Sequence, residues 1–104
     1  MARRLGFSVV AILAALERGH RFGLAIMRET RLPSGTVYPA LARAEDGGLV
    51  KGRWETDTAR DPTDNVGRPP RRYYELTKAG AAALDVERVR LAGLTSLVEP
   101  IRSR

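Results

Sequence analysis

Residues 32–50 read LPSGTVYPALARAEDGGLV, from Leu32 to Val50. Pro33 has no amide proton and disfavours helix at the residue before it, so a helix ends here. Ser34 is suited to cap a new helix from about Thr36 to Asp46. Val37, Leu41 and Ala44 fall at i, i+4 and i+7, one apolar face. Gly47 and Gly48 end it, a glycine suiting the left-handed C-terminal position. Pro39 withdraws the bond to residue 35, which predicts a short, irregular first turn.

Upstream, residues 7–18 read as a helix. Val9, Ile12, Leu13 and Leu16 form its apolar stripe, Ser8 is a candidate cap and Gly19 a stop. Residues 22–31 read as a short second helix with Phe22, Leu24, Ile26 and Met27. Downstream the period changes. Residues 49–56 suit a strand, 57–70 are rich in Asp, Asn and Pro and read as a turn or loop, and Arg71 to Leu76 suits a second strand with Tyr73 and Tyr74 on opposite faces. Thr77 can cap a last helix from Lys78 to about Val98, before Pro100. Three helices, a β-hairpin and a helix describe a mainly α fold: a winged helix-turn-helix over residues 1–77, with a C-terminal dimerisation helix over 78–104, in one compact unit. In such a fold the second helix of the pair lies in the major groove and the hairpin reaches backbone or minor groove.

Charge agrees with that reading. The chain has 104 residues, 18 Lys+Arg against 12 Asp+Glu, net charge +6 and a hydrophobic share of 43%. Residues 1–31 are the most basic segment. Only Lys51 and Lys78 are lysines, and the rest are Arg. A small basic domain suggests double-stranded DNA as partner, and Arg forms bidentate contacts to phosphate and guanine. GC-rich coding also favours Arg. No cysteine is present and His20 is the only histidine, so disulfides, Cys-ligated metals and multi-histidine sites are excluded and no cofactor is expected. No apolar run reaches the length of a membrane span, so no membrane partner is expected. The apolar stretch after Arg3 and Arg4 reads as a helix and not as a leader, and the cytoplasm is the expected location. An enzyme is disfavoured. Glu17, Glu29, Glu45 and Asp46 sit on helix faces predicted to be solvated, and no phosphate-binding glycine loop or nucleophile elbow is present.

Ser34-Gly35-Thr36-Val37-Tyr38-Pro39-Ala40-Leu41, followed by the stop from Glu45 to Val50, resembles the recognition-helix region of the PadR family of bacterial repressors. Gly67-Arg68-Pro69-Pro70-Arg71-Arg72-Tyr73-Tyr74-Glu75-Leu76-Thr77-Lys78-Ala79-Gly80 resembles the family's second wing strand and the start of its last helix. The resemblance covers roughly residues 7–95. It departs at Gly23, which Leu24 follows where many members have Tyr, and in the short last helix, as in the compact subgroup. It implies a homodimeric repressor on a palindromic operator, released in some members by a small aromatic or drug-like effector. It also implies a dimer built from the last helix with part of the first.

The residues themselves suggest contacts. The amides of Ser34, Gly35 and Thr36 open the recognition helix, a natural phosphate site, and Gly35 allows close approach. Ser34 or Thr36 can also reach a base edge; plain capping by Ser34 is the blander role. The Tyr38 hydroxyl can donate to phosphate, or the ring can pack half-buried under the wing. Pro39 can pack on sugar or a thymine methyl. Arg43 lies further along the exposed face. Around the wing, Lys51, Arg53, Arg68 and Arg71 are candidates with Arg72, though alternation lets only some face DNA. Asp57, Asp61 and Asp64 in the loop oppose phosphate. Arg3 and Arg4 can reach backbone as an arm. Trp54 is read as wing-to-core packing, with an aromatic-effector platform as the sharper alternative. His20 is read as a loop residue. Leu84, Leu91, Leu94, Val98 and Ile101 are read as the dimer seam. A winged-helix protein-interaction module without sequence-specific DNA binding is the alternative function, and salt-dependent duplex binding separates the two.

Overall fold

The computed structural model describes residues 4–55 and 69–98. Arg3, Arg68, Ile101, Pro100 and the aspartates of the wing loop lie outside them.

Helix α1 (Phe7–Glu17) buries Val9, Ile12, Leu13, Ala15 and Leu16. Its N-cap is Gly6, so Ser8 lies inside the first turn and does not cap it. Gly19, at φ +97°, takes the chain out of the helix. Helix α2 (Gly23–Thr30) is shorter and ends when Arg31 turns left-handed at φ 60°. The Thr30 hydroxyl donates to the Ile26 carbonyl at 2.7 Å.

Helix α3 (Ser34–Asp46) starts two residues before the predicted Thr36. Ser34 is its first helical residue and not its cap. Pro33 is the N-cap, and its carbonyl accepts from the amides of Thr36 and Val37 at 2.9 and 3.0 Å. That shared acceptor tightens the first turn, and the helix passes through Pro39 unbroken. Val37, Ala40, Leu41 and Ala44 are its buried face. Gly48 then adopts φ +73° and leads into the hairpin.

Strands β1 (Val50–Trp54) and β2 (Arg72–Leu76) pair antiparallel, with Val50 opposite Leu76, Gly52 opposite Tyr74 and Trp54 opposite Arg72. Each is shorter than the predicted 49–56 and 71–76. The sheet has an addition that the periodicity did not signal. Phe22 bridges Tyr73, and the Tyr74 amide donates to the Arg21 carbonyl at 2.8 Å. The turn before α2 is thereby fastened to the wing. The Phe22 and Tyr73 rings meet edge to face, with centroids 5.7 Å apart.

Helix α4 (Lys78–Val98) begins as the sequence predicts. The Gly80 amide donates to the Thr77 hydroxyl oxygen at 3.0 Å, an N-cap bond. Ile12, Leu13, Ile26, Val37, Leu41 and Leu84 form the most deeply buried part of the core. Each such side chain contributes about 1.5–3 kcal/mol by leaving water. Leu84 is 1% exposed. It packs inside the single chain and is not free to face a second copy. From Leu91 to Val98 α4 leaves the core, and every residue there is exposed.

Candidate nucleic-acid interface

The helical repeat that buries Val37, Ala40, Leu41 and Ala44 turns the rest of α3 outward. Ser34, Gly35, Tyr38, Pro39 and Arg43 are exposed along that face, and Thr36 is half-buried at its edge. Six of the candidate residues thus share one helix surface. The amides of Ser34 and Gly35, ahead of those that donate to Pro33, and the positive end of the helix dipole lie at its start, which favours an anion there.

Tyr38 is 50% exposed. Its ring lies over the start of α2. A Cβ built on Gly23 would fall 2.5 Å from the Tyr38 hydroxyl oxygen and Cε1. Gly23 therefore makes room for the hydroxyl end of the ring, which leans on α2 while the residue as a whole stays half exposed. The seat lies at the start of α2, on the side of α3 that faces the wing.

Beside Tyr38 an open trough of ≈ 490 Å³ separates α3 from the wing. Phe22, Tyr38, Trp54, Pro70 and Arg71 line it. The Arg71 guanidinium sits 4.3 Å above the Phe22 ring centroid. Trp54 is 62% exposed. The expected packing of Trp54 into the core is therefore wrong. At the distal end of β1, the helices no longer reach the strand to cover it.

The sequence marks Arg72 only as one of several wing cations, and its partners give it a more specific place. It donates to Glu45 of α3 at 2.8 Å, and its guanidinium lies 5.3 Å from the Trp54 ring and 5.7 Å from the Tyr74 ring. It ties the wing to the recognition helix. Glu45, read from sequence as solvated, is half-buried in this pair. Burial raises the Tyr74 hydroxyl pKa above its usual value, and the positive Arg72 opposes that shift. Nothing local to Arg72 in the sequence names Glu45 as its partner.

The remaining cations are spread more widely. Lys51 and Arg53 alternate with Gly52 and Trp54, so they occupy the other face of the hairpin, away from the trough. Arg53 pairs there with Glu75 at 3.7 Å. Arg4 and Arg43 instead both line a second cavity of ≈ 420 Å³ at the C-terminal end of α3. Behind it the N-terminal arm is fastened by Glu87, which is 2% exposed. The Leu5 amide donates to Glu87 Oε1 at 3.3 Å, and Arg90 Nε donates to Oε2 at 2.9 Å. Arg90, with the Leu5 bond, holds the Glu87 carboxyl below its ordinary value of 4.5. His20 lies in the turn after α1, 3.3 Å from Glu29, as a loop residue. Among the described residues no group of His, Cys, Asp and Glu could hold a metal, and no helix is long and apolar enough to cross a membrane.

Comparison with known proteins agrees with this arrangement. Residues 12–86 match the family described as transcriptional regulator PadR-like. A PadR family transcription regulator from Clostridium difficile R20291 is 25% identical over 88% of this chain and 94% of its own, with a TM-score of 0.73. A PadR family transcriptional regulator from Eggerthella lenta DSM 2243 is 28% identical, covering 89% and 82%, with a TM-score of 0.64. A PadR-like transcription factor from Bacteroides fragilis is 26% identical, covering 86% and 84%, with a TM-score of 0.68. None of the curated proteins compared with the chain matches it. The relatives are transcription regulators and not enzymes, and the helix-turn-helix with its wing is the fold they share. With the match spanning most of its length, the chain belongs to the PadR-like family of transcriptional regulators.

Proposed function

We propose that this chain is a sequence-specific repressor that binds a palindromic operator in the cytoplasm as a homodimer. The observation that carries the reading is the exposed face of α3, with Ser34, Gly35, Tyr38, Pro39 and Arg43 turned outward beside the wing. The amides of Ser34 and Gly35 and the Tyr38 hydroxyl hold phosphate, and Thr36, Pro39 and Arg43 face the bases or the adjoining backbone. Arg4, Lys51, Arg53 and Arg71, with Arg68 of the loop, add backbone contacts. Dimerisation rests on Leu91, Leu94 and Val98, which α4 leaves exposed, with Ile101 beyond them. A small aromatic effector that releases the operator completes the reading, with the family resemblance as its support.

The test is a fluorescence-anisotropy titration against the duplex upstream of the chain's own gene, beside a scrambled duplex, at two salt concentrations. Tighter binding to the upstream duplex, falling as salt rises, is the expected result. Equal weak binding to both contradicts sequence-specific repression at that site. No binding at low salt favours a protein-interaction module.

A further inference from the structure

Trp54 presents a large apolar ring to solvent at 62% exposure on a chain with only one tryptophan. A ring in that position suggests a surface that becomes covered. It is not loosely held. Arg72 lies against its face and is anchored in turn to Glu45. A Cβ on Gly52 would come within 2.6 Å of the Arg72 guanidinium, so Gly52 leaves the space in which that guanidinium lies flat. Trp54 thus forms a pre-set wall.

The opposite wall is Tyr38. Between the two lies the ≈ 490 Å³ trough, with Phe22, Pro69 and Pro70 adding apolar surface and Arg71 a positive charge. The trough has α3 on one side and the wing on the other. When a recognition helix lies in the major groove and a wing reaches the minor groove, one sugar–phosphate strand crosses between them. Deoxyribose presents C–H groups and its phosphates are anionic. An aromatic trough with a guanidinium on its wall suits both, and the chain's net charge of +6 has the matching sign.

We propose that Trp54 is a DNA-contact residue, the wing-side wall of a seat for the sugar–phosphate strand that runs between α3 and the wing. This rests on the DNA-binding reading above and assigns a role to a residue outside the recognition helix. The indole face packs on deoxyribose, its N–H donates to a phosphate oxygen, and Tyr38 closes the seat from α3. Arg72 is a positioning residue that holds the wall at its angle through Glu45. Because backbone carries no base identity, Trp54 contributes equally to specific and non-specific complexes.

Trp54 reports on its own environment, which makes the test direct. The wild-type chain is titrated with a labelled short duplex of scrambled sequence at low salt, and then with the upstream duplex. Anisotropy of the label and emission of Trp54 are followed together. The expected result is a saturable change in emission over the concentration range in which anisotropy rises. Trp54→Ala is expected to weaken binding about tenfold on both duplexes with an unchanged melting temperature, and Trp54→Phe to restore most of it. Saturating anisotropy with constant emission, and a Trp54→Ala chain that binds like wild type, overturns the proposal while leaving DNA binding intact. Emission that responds to protein concentration alone assigns the wall to a second copy and also overturns it. Emission quenched by a small aromatic acid but not by duplex does so in favour of an effector. If no duplex binds, the DNA-binding reading falls with it.

Discussion

At Gly80, the third position of α4, a hydrogen in place of a side chain decides how closely that helix approaches the turn after α3. An added Cβ would lie 2.0 Å from the Leu49 carbonyl oxygen, which is backbone and has little freedom to yield. Gly80→Ala is therefore expected to destabilise the chain by about 1–3 kcal/mol through overpacking, read as a lower urea midpoint. The proposed function gives Tyr38 a role in DNA binding. Its ring rests on Gly23 with the hydroxyl end at the start of α2, and in the proposed complex that hydroxyl donates to phosphate. Tyr38→Phe is expected to weaken binding by about 1 kcal/mol on upstream and scrambled duplexes alike, with the melting temperature unchanged. Anisotropy indistinguishable from wild type would remove the hydroxyl from the interface.

The elements were legible in the sequence wherever period and chain breaks agreed. The apolar faces of α1 and α3, the Gly48 stop and the Thr77 cap follow from local spacing, and the structure has them. Thr77→Ala is expected to cost about 1 kcal/mol for the lost cap, seen by the same urea titration. The structure differs from the local pattern where distant parts of the chain decide the outcome. Ser34 has the chemistry of a cap, but Pro33 takes the N-cap position with a backbone carbonyl. Leu84 fits the heptad seam with Leu91, yet α1 packs on α4 closely enough to help enclose it. Trp54 has core chemistry at a strand end that the helices do not cover. The exposed face of α3 was readable residue by residue, whereas the strut from Arg72 to Glu45 joins elements 27 positions apart. Glu87 falls among the apolar residues of α4, and its burial depends on the arm at Leu5, 82 positions away. Its carboxylate binds a proton more weakly folded than unfolded, because Arg90 and the Leu5 amide favour the ionised form. Glu17, held by Arg88 at 3.0 and 2.5 Å, is lowered likewise. Their contribution to stability is therefore present above the ordinary value of 4.5 and is lost as pH falls through the lower folded values. Glu87→Gln is expected to flatten that acid limb in melting curves taken from neutral pH downward. An acid limb as steep as wild type would show that Glu87 ionisation does not couple to folding.

For the whole molecule, the exposed end of α4 carries the argument. Leu94 and Leu97 are 46% and 81% exposed on a chain of this size, and Phe7 at the start of α1 adds a further apolar ring. A second copy that covers this surface adds burial which a small domain lacks by itself. The melting temperature is then expected to rise with protein concentration. Leu91→Asp with Leu94→Asp is expected to sediment as a monomer and to lose most of its operator affinity. A dimer that persists in that variant places the interface elsewhere. Two copies related by a two-fold axis present two α3 helices, and half-sites on one face of B-DNA lie about 34 Å apart. Hydroxyl-radical footprinting of the upstream duplex tests that claim most directly. Two protected patches on the same face, one helical turn apart and symmetric about their centre, are the expected result; a single patch, or uniform protection matching that of scrambled DNA, would contradict a symmetric operator-reading dimer.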